Sequence, residues 1–181
     1  MLIQTNLPHC TLRSWKMEDK AALIYNANNR HIWRNLTDVF PHPYTEADAE
    51  FWITFANNAA PSIHLAIALD GTAIGGIGII AGEGITRHTG KFGYWLGETH
   101  WGKGIATAAA RSMAAHAFSG SLFERLEAQV LAWNPSSMRV LEKVGFIREG
   151  VMGRSIFKDG QFTDSVLFAL IINEWRSIHK S

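Results

Sequence analysis

Apolar positions along the chain change period repeatedly, and each change marks an element. Residues 10–15, CTLRSW, read as a first strand, whereas Ala21, Leu23, Ile24 and Ala27 suit a helix running from Glu18 to about Asn28. Thr45 followed by Asp48 resembles a capping box with Asp in place of Glu, which predicts a second helix over EADAEFWITFANN. Two runs rich in Ile, Leu and Ala, SIHLAIAL and TAIGGIGIIA, flank Asp70-Gly71, where glycine accepts positive φ, so they predict an antiparallel hairpin. Past a glycine-broken loop at 82–90, KFGYWLG reads as a strand and the Ala-rich 105–118 segment as a helix. RLEAQVLAW is a further strand, and PSSMRVLEKV a helix ended by Gly145 in a left-handed cap. Two last strands, around 147–157 and 162–172, meet at Asp159-Gly160. Strands joined by hairpins and strands joined through helices both occur, which predicts an α+β (mixed α/β) fold with a mostly antiparallel sheet.

The 181 residues show no internal repeat, low-complexity tract or linker, so a single domain over 1–181 is expected. Seventeen basic and sixteen acidic side chains leave a formal charge of +1 without a run of one sign. That balance points away from nucleic acid and anionic lipid and toward a small-molecule or peptide partner. The single Cys10 forms no intrachain disulfide, and the opening MLIQTNLPHC lacks a basic start and a long apolar stretch, so a reducing, cytoplasmic setting is expected. VLFALII at 166–172 falls far short of the ~20 residues of a membrane span.

The candidate chemistry centres on GETHWGKGIATAAA, between a predicted strand and a predicted helix. Gly97, Gly102 and Lys103 satisfy the start of the nucleotide-hydrolase phosphate loop, but Gly104 stands where that loop needs a Ser or Thr for its metal ion. A glycine turn entering a helix still presents free N–H groups and the positive end of the helix dipole to an anion such as diphosphate. A ligand-free tight turn is the alternative. GIGIIA from Gly76 mimics a dinucleotide fingerprint but lies inside a strand and opens no helix. The eight His are scattered and neither a zinc-type HExxH nor a CxxC pair occurs, so no metal is expected.

Two motifs give the sequence a family resemblance. Trp101-Gly102-Lys103-Gly104-Ile105-Ala106 resembles the pyrophosphate loop of the GNAT acyl-CoA-dependent N-acyltransferases, in the form found in their RimJ/RimL-like branch with Trp for Gln or Arg. WNPSSMRVLEKVGF at 133–146 matches that family's second block, and FPHPYTEADAEFW, FGYWLG and KDGQFTDSVLFAL extend the likeness over nearly the whole chain. The resemblance implies a sheet of about seven strands with helices on both faces, and a V-shaped gap between strands 91–97 and 125–133 that holds acetyl-CoA.

It further implies that main-chain N–H groups from Gly102 to Thr107 hold the pyrophosphate. Trp95, Leu96 and Gly97 would meet the pantetheine arm through their main chain. The N–H near Leu96 would face the thioester oxygen and stabilise the oxyanion. The side chains of Tyr94, Trp95 and Leu96 read mainly as strand core. Asn134, ahead of Pro135, is a good helix cap that the resemblance also places on the pantetheine amide. Many family members carry a Tyr in this helix near the leaving sulfur. Here that position is Leu141, which leaves Ser137 as the candidate donor. Glu98 is a candidate base acting through water, with Asp164 and His88 as weaker ones. Trp33, Phe40 and Tyr44, with His42 and Trp52, form an aromatic group suited to an amine by cation–π contact, or to plain core packing. The activity implied is acetyl transfer from acetyl-CoA to a primary amine, on a protein N-terminus or a small molecule, and the family's habit is a homodimer. A non-catalytic acetyl-CoA sensor would need the same loop.

Overall fold

The computed structural model describes residues 1–178. One eight-stranded sheet carries the fold: β1 (Leu2–Gln4), β2 (Cys10–Arg13), β3 (Ile63–Leu69), β4 (Thr72–Ala81), β5 (Thr89–Leu96), β6 (Arg125–Leu131), β7 (Ile147–Lys158) and β8 (Gln161–Ile171). Its spatial order is β1-β2-β3-β4-β5-β6-β8-β7. Every neighbouring pair is antiparallel except β5 and β6, which run parallel. The helices are α1 (Lys20–Ala27), α2 (Arg30–Trp33), α3 (Glu46–Asn57), α4 (Ile105–Ser119), α5 (Pro135–Val144) and α6 (Ile172–Ile178). A parallel pair needs a crossover, and α4 supplies it.

The predicted hairpin turns at Asp70-Gly71 and Asp159-Gly160 both form, and all four residues take positive φ. The predicted capping box of α3 also forms: Thr45 accepts from the Asp48 N–H and Asp48 accepts from that of Thr45. Three elements lie outside the sequence reading. β1 is three residues long with two of them exposed, so it leaves no periodic signal. α2 is a single turn. The apolar run to residue 172 hides the switch from β8 to α6, because buried strand and buried helix look alike over so few residues. The ladder ends where the Ile172 N–H bonds to the Glu124 carbonyl.

Two cores sandwich the sheet. On one face α4 buries Ala109, Ala110, Met113 and Ala114 against Leu126, Leu141 and Leu170. The small alanines let the helix lie close to the strands. On the other face Leu23 and Ala27 of α1 and Ala49 and Ile53 of α3 pack with Trp15, Tyr44 and Ala66. Among the described residues no helix is long and apolar enough to cross a membrane.

Candidate functional site

The sheet opens between its two parallel strands. Their ladder covers only Thr89, Gly90 and Lys91 opposite Arg125, Leu126 and Glu127, yet β5 runs on to Leu96 and β6 to Leu131. On its other edge β5 pairs with β4 throughout, bracketed by the bonds from Gly82 N–H to Thr89 O and from Gly97 N–H to Ile74 O. Hydrogen bonding alternates along an antiparallel pair. The odd residues of β5 therefore bond to β4, and Phe92, Tyr94 and Leu96 turn their N–H and C=O groups toward the gap. Of the three residues read as main-chain contacts, Leu96 faces the cleft, while Trp95 and Gly97 face β4. The Trp101 indole donates to the Leu96 carbonyl at 2.7 Å, which ties the glycine turn to the end of the strand and leaves the Leu96 N–H on the gap side.

The turn delivers the chain into α4 through two left-handed residues, Gly102 (φ 73°) and Gly104 (φ 77°). A Cβ built on either meets nothing within 4 Å, so their backbone borders open space. Ala108 is the first residue whose N–H reaches back into the helix, to Gly104 O at 3.0 Å. The N–H groups of Ile105, Ala106 and Thr107 thus project from the positive end of α4. Gly104, Thr107, Arg111 and Lys143 help line a depression of about 190 Å³ beside this end. Arg111 donates to the Lys143 carbonyl, and its buried Nε has no partner among the described residues. Sequence reasoning did not find these two cations, because they lie on different helices. Lys103 Nζ donates to Thr99 O at 2.9 Å.

α5 starts as its cap predicts: Asn134 Oδ1 accepts from the Ser137 N–H at 3.2 Å, with Pro135 at the first position. The Ser137 hydroxyl lies 2.8 Å from the Tyr94 hydroxyl. Tyr94 was read as core, and only the fold brings its oxygen to α5, so the site gains a group the sequence reading missed.

A strap formed by residues 29–42 crosses the open end of the gap. Glu98, just past β5, accepts from Asn29 Nδ2 and lies 2.9 Å from His31 Nδ1. Trp133, just past β6, donates to Asn35 Oδ1 at 3.1 Å, with Arg34 over its ring. The β7–β8 hairpin holds the far side through Arg30–Asp159 and Lys158–Asp38, both 2.6 Å. The Lys158 ammonium also sits 3.8 Å from the Trp33 ring centroid, so the chain's own cation covers the aromatic face expected for an acceptor amine. Tyr44 is 5% exposed and belongs to the core, packed on Phe40, which in turn packs on Trp95. Hydrogen bonds from Asn29 and then His31 hold the Glu98 carboxyl below the usual carboxylate range, which weakens it as a base. Asp164 accepts the Arg154 N–H, and His88 Nδ1 sits 2.9 Å from Leu122 O at the opposite end of β5. Cys10 is buried in β2, outside this cleft, and burial raises its thiol pKa.

A mostly antiparallel sheet split at its parallel pair, with a glycine turn feeding a helix beside the split, defines a mixed α/β class with an anion-ready cleft. The chain belongs to the GNAT acetyltransferase family: that family's domain model matches residues 9–147. Among curated relatives, a probable N-acetyltransferase of Bacillus subtilis, YjcK, is 40% identical over 46% of this chain and 46% of its own length. An uncharacterized N-acetyltransferase of the same organism, YokL, is 26% identical over 93% of each chain. The chain thus spans about half of the length of YjcK and nearly all of YokL. Among solved structures, Mycobacterium smegmatis RimJ in complex with a CoA disulfide is 26% identical with TM-score 0.84, over 96% of this chain and 87% of its own. RimL, a ribosomal-protein N-acetyltransferase in complex with coenzyme A, shares the fold at TM-score 0.85 and 20% identity over 96% and 99%.

Proposed function

We propose that this protein transfers an acetyl group from acetyl-CoA to a primary amine by direct attack in a ternary complex. The observation that carries the reading is the broken β5–β6 ladder, whose exposed main-chain groups lead straight to the open N-terminus of α4. The residues present fit the carrier: left-handed glycines with free space outside them, unladdered N–H groups, and two nearby cations. Solved relatives hold coenzyme A or, in a microcin-immunity acetyltransferase, acetyl-CoA with AMP. A curated relative is a ribosomal-protein-serine acetyltransferase of Escherichia coli, 32% identical over 54% of this chain.

When bound, acetyl-CoA supplies a thioester whose carbonyl carbon accepts the amine. Ile105, Ala106 and Thr107 would hold its diphosphate through their N–H groups, with the α4 dipole contributing about 0.3–1 kcal/mol per exposed charge. Leu96 would present its N–H to the carbonyl oxygen as negative charge builds there. As the C–N bond forms and the C–S bond breaks, the electron pair stays on sulfur, and Ser137 would donate a hydrogen bond to it. The amine's proton leaves to water along the open side of the cleft. The acceptor, a protein N-terminus or a small-molecule amine, would enter where the strap and the β7–β8 hairpin leave the cleft open.

Thiol release from acetyl-CoA, measured with a panel of peptides, polyamines and aminoglycosides, tests the reading. Turnover with at least one acceptor is expected, and tight CoA binding with no release for any of them would favour a sensor instead. Ser137→Ala should lower kcat roughly 10- to 100-fold, the worth of a hydrogen bond to a charged group, with CoA affinity kept. Glu98→Gln retains an acceptor for Asn29, so kcat within about threefold of wild type is expected. A loss near the 10²–10⁴-fold typical of a removed general base would restore Glu98 to that role.

A further inference from the structure

The Tyr94 hydroxyl touches α5 at two atoms of one residue, Ser137 Oγ at 2.8 Å and Ser137 O at 3.1 Å. Its ring leaves β5 on the α4–α5 side and packs edge-on against Phe92, with centroids 6.2 Å apart. The phenol is therefore held from both ends, by packing and by the first turn of the helix. Burial pushes its pKa up to about 12, against a smaller lowering by Ser137, so it stays protonated at neutral pH and always has one hydrogen to give.

That single hydrogen has two places to go. When it points at Ser137 O, the phenol oxygen accepts from Ser137 Oγ and ties up the serine hydrogen. When it points at Ser137 Oγ, the serine hydrogen is released toward the gap. Asn134 already holds the Ser137 N–H, so the serine backbone does not move between these arrangements. A thiolate is a far stronger acceptor than a phenol oxygen, and it selects the second arrangement. In that arrangement the phenol also polarises the serine O–H, because hydrogen bonds in a chain reinforce one another.

We infer that Tyr94 is a positioning residue for acyl transfer: its hydroxyl donates to Ser137 Oγ as sulfur leaves, and so turns the serine hydrogen onto the sulfur of coenzyme A. The inference rests on the proposed reading that Ser137 meets that sulfur. It assigns to a strand residue the phenol that the α5 sequence lacks, with Ser137 relaying it.

The test is a two-residue cycle of Tyr94→Phe, Ser137→Ala and the double variant, read first on bound coenzyme A and then on turnover. Phe keeps the ring that packs on Phe92, and CoA affinity measured by calorimetry confirms that each variant is folded and loaded. The thiol of bound CoA is titrated by its thiolate absorbance, with the buried Cys10 common to all variants. Ser137→Ala should raise that thiol's pKa by about one unit, Tyr94→Phe by a large part of that, and the double variant by no more than Ser137→Ala alone. In turnover, Tyr94→Phe should lower kcat about three- to tenfold at unchanged KM for acetyl-CoA, and do nothing further in the Ser137→Ala background. Tyr94→Phe without effect on the bound thiol, or an effect that simply adds to that of Ser137→Ala, overturns the inference. A coupled shift in the thiol titration with no turnover for any acceptor would sink the transferase reading and leave the Tyr94–Ser137 pair standing.

Discussion

Replacing Gly104 by Glu is expected to abolish measurable binding of coenzyme A while the protein stays folded. The folded state tolerates the change because a Cβ at this position meets nothing within 4 Å. Its φ of 77° costs an L-residue about 1–2 kcal/mol, which a domain of this size survives. Binding does not tolerate it, because the new carboxylate sits at the positive end of α4 and competes for the N–H groups that a diphosphate needs. Repulsion between like charges near 4 Å is about 4 kcal/mol at a partly screened site, and a third of that already lowers affinity tenfold. Calorimetry should show at least a 100-fold weaker Kd. Gly104→Ala separates strain from charge: it carries the same backbone penalty and should bind CoA within a few-fold of wild type. Near-normal affinity in Gly104→Glu would mean that the anion site is elsewhere.

Arg13→Met should produce the largest loss of stability, about 3–5 kcal/mol, because it strands a buried carboxylate. Arg13, in β2, makes two parallel bonds to Asp19 at 2.7 and 2.8 Å, and a third to Gly71 O at 2.8 Å. Both side chains are about 10% exposed or less, at 10% and 9%. Burial alone would raise the Asp19 pKa. The Arg13 hydrogen bonds and charge, with the Lys16 N–H, outweigh it and hold the carboxyl below its usual value. A depressed carboxylate stabilises the fold above its unfolded pKa and loses that contribution as pH falls through that value toward the folded one. In Arg13→Met the orphaned Asp19 moves the other way, since protonation relieves it. Urea unfolding of the two proteins should therefore differ most near neutral pH, narrow toward about pH 4 as the variant's Asp19 takes up its proton, and converge only below that, where the wild-type carboxyl is protonated as well. An equal gap at both pH values would show that the pair's charge does not matter to the fold.

The strap gives the clearest measure of what the sequence left out. Trp33 and Phe40 were legible as an aromatic group, but their service as an acceptor wall was not decidable from spacing. Lys158, 120 positions from its partner Asp38, lies over Trp33, and no local pattern announces that. On Trp33 the protein's own cation thus occupies an aromatic face that the sequence offered to an amine, while Phe40 packs on Tyr44 and Trp95. The same holds for Tyr94, 43 positions from Ser137, which read as one more apolar strand residue.

What the sequence determined by itself is everything governed by neighbours along the chain. Period 2 against period 3.6 placed most strands and helices, and the requirement for positive φ placed the turns at Asp70-Gly71 and Asp159-Gly160. The Asn134-Pro135 pair started α5, and two glycines before an alanine-rich run set an anion-ready helix start. These depend on backbone sterics and hydrogen bonds spanning a few residues, which each residue type biases directly. Only the tertiary structure decided that the β5–β6 ladder stops at Lys91, that the even residues of β5 face the opening, that Tyr94 meets Ser137, and that Arg111 and Lys143 share the depression beside the start of α4. Those outcomes follow from how sheet twist and two packed layers divide the space between distant segments, a balance of burial that no single stretch of residues encodes.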